Sequence, residues 1–203
     1  MSKIQTNKLQ HTGTGAAEFT LPTSDGSAGQ FMKTDGSGNL SFASVATPVT
    51  PLFTKYAVIN DTKPYNQGGG TFNSGAWRTR ILNTEVFDPD NIVSISSNQF
   101  TLQAGTYYIR AQAPAYRVDQ HHIRLRNITD STTDGVGSVG MSSSSFASIT
   151  LSLLTTRFTI SSAKVFEIQH YCSTTHNTYG LGIMHGINGT DSIYTIVEIY
   201  KEA

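Results

Sequence analysis

At 203 residues, 37% of them hydrophobic, the chain carries enough apolar material for one domain with a real core plus an appendage, and too little for two full domains. Only 14% of residues are charged; Ser, Thr, Asn, Gln and 18 Gly carry the hydrophilic surface instead, a composition suited to β-structure. The 14 basic and 14 acidic residues cancel, three of each before Thr50 and eleven of each after it, which excludes a basic face for tracking a phosphate backbone and with it nucleic acid as a partner.

Met1-Ser2-Lys3-Ile4-Gln5 leads into polar sequence with no apolar signal-peptide stretch, and no apolar run approaches the ~18 residues that span a bilayer, so synthesis in a cytoplasm without membrane insertion is expected. The single cysteine, Cys172, rules out an intramolecular disulfide, leaving core packing or assembly to supply stability. Without a leader, the Asn-x-Ser/Thr triplets at Asn60, Asn127 and Asn188 read as chance occurrences and not as glycan acceptors.

Residues 1–50 form the first region, rich in Gly, Ser and Thr and poor in aromatics. Asp25-Gly26-Ser27 recurs as Asp35-Gly36-Ser37, and each is a turn signal. The apolar pieces between and after them, Phe19-Thr20-Leu21, Gln30-Phe31-Met32 and Leu40-Ser41-Phe42, alternate well enough for brief strands but offer too little surface for a core. Such a segment is ordered only with partners packed on it, which marks Phe19, Leu21, Phe31 and Leu40 as its attachment residues; the alternative is a disordered tail. Ala46-Thr47-Pro48-Val49-Thr50-Pro51 reads as a stiff linker.

Residues 51–203 form the second region, where the apolar pattern has period two. Thr106–Ala115 places Tyr107, Ile109, Ala111, Ala113 and Ala115 on one face, and Val165–Cys172 places Phe166, Ile168, His170 and Cys172 together. Ser192–Tyr200 sets Ile193, Thr195, Val197 and Ile199 against Tyr194, Ile196, Glu198 and Tyr200. Further strands are expected near Tyr56–Asn60, Arg78–Asn83, Ile92–Leu102, His121–Ile128, Val136–Met141 and Ser148–Ile160. Asp88-Pro89-Asp90-Asn91, Ala104-Gly105, Asp134-Gly135 and Asn188-Gly189 supply turn chemistry. No stretch carries a capped helical stripe, and about nine short strands at this spacing predict an all-β sandwich or jelly roll.

Gln99-Phe100-Thr101-Leu102-Gln103-Ala104-Gly105-Thr106-Tyr107-Tyr108-Ile109 and the ending Gly189-Thr190-Asp191-Ser192-Ile193-Tyr194 plus one final strand resemble the globular head of complement component one-q, a fold shared with tumour necrosis factor. The likeness covers roughly residues 53–203, without the family's collagen stalk. It implies an antiparallel jelly-roll sandwich and a homotrimer about a threefold axis. Leu21 to Leu40, with its repeated Asp-Gly-Ser, is similar to segments of bacteriophage tail-fibre and other appendage proteins, which implies a virion location.

In the head family both termini lie at the stalk end. Counting back from the last strand, the connections at 173–191, 142–147 and 114–120 then fall at the distal end, and those at 161–164 and 129–135 at the proximal end. The distal set brings Tyr116, Arg117, Asp119, His176, Asn177 and Tyr179 forward as receptor-binding residues, since aromatic faces and forked donors bind at low entropic cost. The bland reading is that these are ordinary exposed loop residues.

Catalytic and metal constellations are weak. His170 and Cys172 share a face with Phe166 and Ile168 and read as a buried pair, not as base and nucleophile. His121 and His122 point to opposite faces, which leaves a zinc site only where copies of one histidine meet on an axis. Asp88 and Asp90 fit a turn better than a calcium loop. Trp77, between Ala76 and Arg78, is expected in the core ahead of serving as a ligand platform. No cofactor is implied. The function expected is a trimeric phage appendage that binds a host surface glycan or protein and attaches through residues 1–50 to another virion protein. A structural head-fibre or decoration protein is the alternative, and a polysaccharide depolymerase a remote one.

Overall fold

The structure, a computed structural model, describes residues 6–10, 12, 13, 15, 17–45, 51–184, 186, 187 and 189–203. Met1–Gln5, the linker from Ala46 to Thr50, and Asn188 of the expected Asn188-Gly189 turn lie outside the described residues. The chain divides into two compact units, Met1–Thr50 and Pro51–Ala203.

The first unit contains two antiparallel pairs: β1 (Lys8–Gln10) with β2 (Glu18–Thr20), and β3 (Phe31–Thr34) with β4 (Leu40–Ala43). The β3–β4 turn is the Asp35-Gly36-Ser37 motif. Asp35 Oδ1 accepts from the Ser37 and Asn39 amides at 2.8 and 3.1 Å, and Gly36 and Gly38 take the left-handed φ values of 85° and 92°. Its echo behaves differently. Asp25-Gly26-Ser27 does not close a turn on itself; the hydrogen-bonded turn runs from Ser27 to Gln30, where Gly29 supplies a φ of 84°. None of this unit's described residues is buried. Phe19 remains 39% and Phe31 48% exposed, while Leu21 and Leu40 are half-buried.

The second unit is built from β5 (Phe53–Lys63), β6 (Arg78–Thr79), β7 (Thr84–Phe87), β8 (Val93–Ser96), β9 (Gln99–Leu102), β10 (Gly105–Tyr116), β11 (Asp119–Asn127), β12 (Thr132–Val136), β13 (Gly140–Ser142), β14 (Ile149–Ile160), β15 (Lys164–Cys172) and β16 (Ser192–Glu202). One sheet has the order β14-β10-β16-β5-β7. The other runs β12-β11-β15-β9-β8, with β13 also on β11 and β6 also on β15. All pairings within these sheets are antiparallel. From β9 to β16 the chain repeatedly crosses between the two sheets, and that crossing defines an antiparallel jelly-roll sandwich. No described residue is helical.

The core follows from alternation. Tyr107, Ile109, Ala111 and Ala113 of β10 face Ile123 and Leu125 of β11 and Phe166 and Ile168 of β15, all nearly or fully buried in one cluster with Ile59, Phe100, Val197 and Ile199. Each large apolar side chain buried this way stabilises the fold by about 1.5–3 kcal/mol.

Four expectations are corrected. Ile193 is exposed and Tyr194 buried, because a bulge between Ile193 and Ile196 shifts β16 by one step before Thr195 and Val197 resume the inward face. Asp134-Gly135 lies inside β12; the turn comes earlier, where Asn127 Oδ1 accepts from the Asp130 amide at 3.0 Å. The strand expected over Val136–Met141 is two strands, β12 and β13, separated at Gly137–Val139. In place of a strand over Arg78–Asn83 only Arg78–Thr79 pairs, since the next residue, Arg80, turns into the interior. The edge strand β7 has no alternation to reveal it: Glu85, Val86 and Phe87 are all exposed.

Candidate functional site: the distal loop cluster

The unit's termini meet at one end, where the Ala203 amide donates to the Leu52 carbonyl at 3.2 Å and Phe53 stands opposite Glu202. At the other end lie the tight β10–β11 turn, the β13–β14 loop and the long β15–β16 connection. A fourth segment joins them, the 64–77 connection. Phe72 and His176 exchange backbone hydrogen bonds at 3.0 and 3.1 Å, and the Gly69 amide donates to the Gly182 carbonyl at 2.9 Å. The run Gly68-Gly69-Gly70 permits this contact: a Cβ on Gly69 would stand 2.7 Å from the Leu181 carbonyl, and one on Gly68 would stand 2.4 Å from the Tyr179 ring.

Five of the six sequence-predicted residues are brought together here by their side chains. The Tyr116 ring meets His176 edge-on at 5.3 Å, and His176 stacks toward Tyr179 at 6.4 Å. His176 Nδ1 accepts from the Tyr179 amide at 3.2 Å, which fixes the ring. Arg117 and Asp119 both have left-handed backbones, φ 54° and 59°, bracketing the buried Val118. Arg117 donates from Nε and Nη2 to the Ser144 carbonyl at 3.1 and 2.8 Å. Asp119 accepts from the Ser144 amide at 2.8 Å and from the Thr174 hydroxyl at 2.5 Å, bonds that hold its carboxyl below the usual range. These two charged residues therefore clamp three loops together. Asn177 joins through its backbone, whose carbonyl accepts from the Thr71 hydroxyl, and its side chain stays exposed.

Two further clusters escaped the sequence. Trp77 is not in the core. It lies half-buried on the outer face of the second sheet, stacked on His122 at 5.0 Å, edge-on to Tyr171 at 5.7 Å, with the Arg124 guanidinium 4.1 Å from its ring centre. The interior holds Arg80, fully buried, donating to Thr195 Oγ1 at 2.7 Å and to the carbonyls of Pro114 and Leu181 at 3.4 and 2.8 Å. Burial pulls its guanidinium down to about 10 against the neighbouring Asp61. No local pattern announces either cluster.

Cys172 is buried with its thiol pushed up to about 11 by burial, so it stays protonated at neutral pH. His170 takes His121 as its partner and not Cys172. Asp88 closes its turn by accepting from the Ile92 and Val93 amides at 2.9 Å each. Among the described residues no three His, Cys, Asp or Glu stand together as metal ligands.

No family model matches the chain, and no curated protein does. Solved structures similar to it include murine APRIL at pH 8.5, with 10% identity and a TM-score of 0.45 over 72% of this chain and 99% of that one. They also include the globular domain of zebrafish complement 1qA protein, with 14% identity and a TM-score of 0.44 over 73% of this chain and 97% of that one. The jelly-roll architecture of this chain stands on its own strand order.

Proposed function

We propose that this chain is a trimeric bacteriophage appendage protein, located on the virion, whose jelly-roll head binds a host surface glycan or protein. The observation that carries the binding role is the distal cluster: the His176 ring against both Tyr116 and Tyr179, beside the exposed Asn177, on loops cross-braced by Arg117, Asp119 and Thr71. Rigid aromatic and amide groups lose little entropy on binding. A homotrimer is supported by the row Ile149, Leu151 and Leu153 on the edge strand β14, each about half exposed, at 49%, 48% and 53%. The neighbouring sheet face adds an aromatic patch in which Tyr200 lies 4.7 Å from Tyr56, 5.3 Å from Phe53 and 5.9 Å from Tyr108. Repetition of weak sites on each trimer, and of trimers on a particle, supplies avidity.

Attachment to another virion protein falls to residues 1–50, where Phe19 and Phe31 stay exposed and no described residue is buried, so a partner or sister chains have apolar surface to cover. The phage assignment rests on the similarity of Leu21 to Leu40 to appendage segments. The reading assigns no enzymatic step, cofactor, nucleic acid or membrane insertion. Purified protein in excess should block adsorption of the parent phage to its host; unchanged adsorption at saturation overturns the receptor-binding role. A second reading, a structural decoration protein, is favoured by the internal bonds that engage Arg117 and Asp119, and labelling the protein at the capsid and not at the tail of the particle would select it.

A further inference from the structure

We infer that the outer face of the second sheet carries a separate binding site for a single neutral sugar ring, formed by Gln120, His122 and Tyr171 beside the Trp77 platform. His122 of β11 and Tyr171 of β15 stand directly opposite each other in the ladder, and Gln120 lies two residues up on the same face. With Ser173, Val139 and His121 they line a cavity of about 220 Å³. That volume suits one pyranose and is too small for a nucleotide or a peptide. Trp77 is held beside it by three contacts, the His122 stack, the Tyr171 edge and the Arg124 cation, so its ring is preorganised.

The chemistry of the lining selects the ligand class. A pyranose presents a C–H face, which packs on aromatic rings, and a rim of hydroxyls that both donate and accept. The Gln120 amide, the His122 imidazole and the Tyr171 phenol are also groups that can do both. Among the described residues none of these three side chains has a hydrogen-bond partner, whereas the clamp residues of the distal loops are fully engaged. No carboxylate, ammonium or guanidinium lines the cavity, so its walls offer a charged sugar no counter-ion. This site goes beyond the distal cluster and stands whether or not that cluster binds a receptor.

Trp77 is the chain's one tryptophan, so its emission reports on this site directly. The full chain is titrated with the methyl glycosides of glucose, galactose, mannose, rhamnose and N-acetylglucosamine, and with N-acetylneuraminic acid as the charged probe. The expected result is a saturable millimolar emission change with at least one neutral probe, weakened about tenfold by Gln120→Ala and by Tyr171→Ala, the loss of about one good hydrogen bond or ring contact each. Gln120 is exposed, so its variant folds normally and keeps the test valid where Tyr171→Ala loses stability. No saturable change with any neutral probe, tighter binding of the charged probe, or a response unaltered in Gln120→Ala overturns the site. Adsorption competition is a separate readout, so failure here and failure of the receptor-binding reading are distinguishable.

Discussion

His121 Nδ1 lies 3.0 Å from His170 Nε2 in the layer between the two sheets, with both rings 2% exposed or less. The bond requires one ring to donate and the other to accept, so both rings cannot be charged at once, and burial disfavours a charge on either. His121 Nε2 also meets Thr150 Oγ1 at 2.7 Å, and Phe72 packs 4.7 Å from the His170 ring.

Acid should therefore loosen the head in a defined window. Desolvation first, then the Arg80 and His122 charges, lowers His121 to about 4 from its ordinary 6.5; His170 is lowered too, by desolvation, Arg80 and both neighbouring histidines. Because the folded values lie below the unfolded ones, the unfolded chain binds more protons between them. Stability is then full above about 6.5 and falls as pH drops toward 4, by roughly 3 kcal/mol for His121. Thermal melts at pH 7.5 and pH 5 check this: His121→Gln should narrow the gap between them, and an undiminished gap would refute the assignment.

Arg80 should be among the most costly residues to remove. Its guanidinium bonds three groups from three separate segments, Thr195, Pro114 and Leu181, and offsets the nearly buried Asp61. Arg80→Ala leaves Asp61 with Lys63, 3.5 Å away, as its remaining counter-ion, and should cost about 3–5 kcal/mol, read from the urea midpoint. Arg80→Lys should recover only part, since one ammonium cannot reach three directed acceptors. A loss of under about 1 kcal/mol for Arg80→Ala would show the buried charge to be unimportant.

These two clusters mark where the sequence stops being legible. Alternation along Tyr107, Ile109, Ala111 and Ala113 identified β10 and its core face because one strand reports its own burial. Parity placed the connections at 114–120, 142–147 and 173–191 at one end; the antiparallel ladders put all three there, with the first narrowed to the turn at 117–118 and the second running over 143–148. The His121–His170 contact joins residues on two strands, and Trp77 and Arg80 flank a strand of two residues, too short to show a period. Ile193 was misplaced because a bulge leaves no mark in composition. Likewise, Arg117 and Asp119 look like free recognition groups until Ser144 and Thr174 are seen to engage them.

Gly69→Ala should damage the distal end selectively. The added methyl would meet the Leu181 carbonyl carbon and oxygen at 2.7 Å, and these are backbone atoms that cannot rotate away. The 64–77 and 173–191 segments must part, at a cost of about 1–3 kcal/mol. Limited proteolysis should cut within 173–191 faster in the variant while β10 and β16 stay protected. An unchanged cleavage pattern would mean that the two segments are not held by this contact.

Leu151 and Leu153 test the trimer directly. They alternate with the buried Ser152 and Leu154, so their outward position is set by the pleat and they contribute little to the core of one chain. A Leu151→Glu, Leu153→Glu double variant should convert a particle of three times 22.0 kDa into a folded monomer by light scattering, since like charges would then face each sister chain. The milder Leu153→Ser should keep the fold and shift the balance toward monomer on dilution. If both variants remain trimeric with unchanged melting, the threefold contact lies elsewhere, and the aromatic patch around Tyr200 becomes the surface to mutate next.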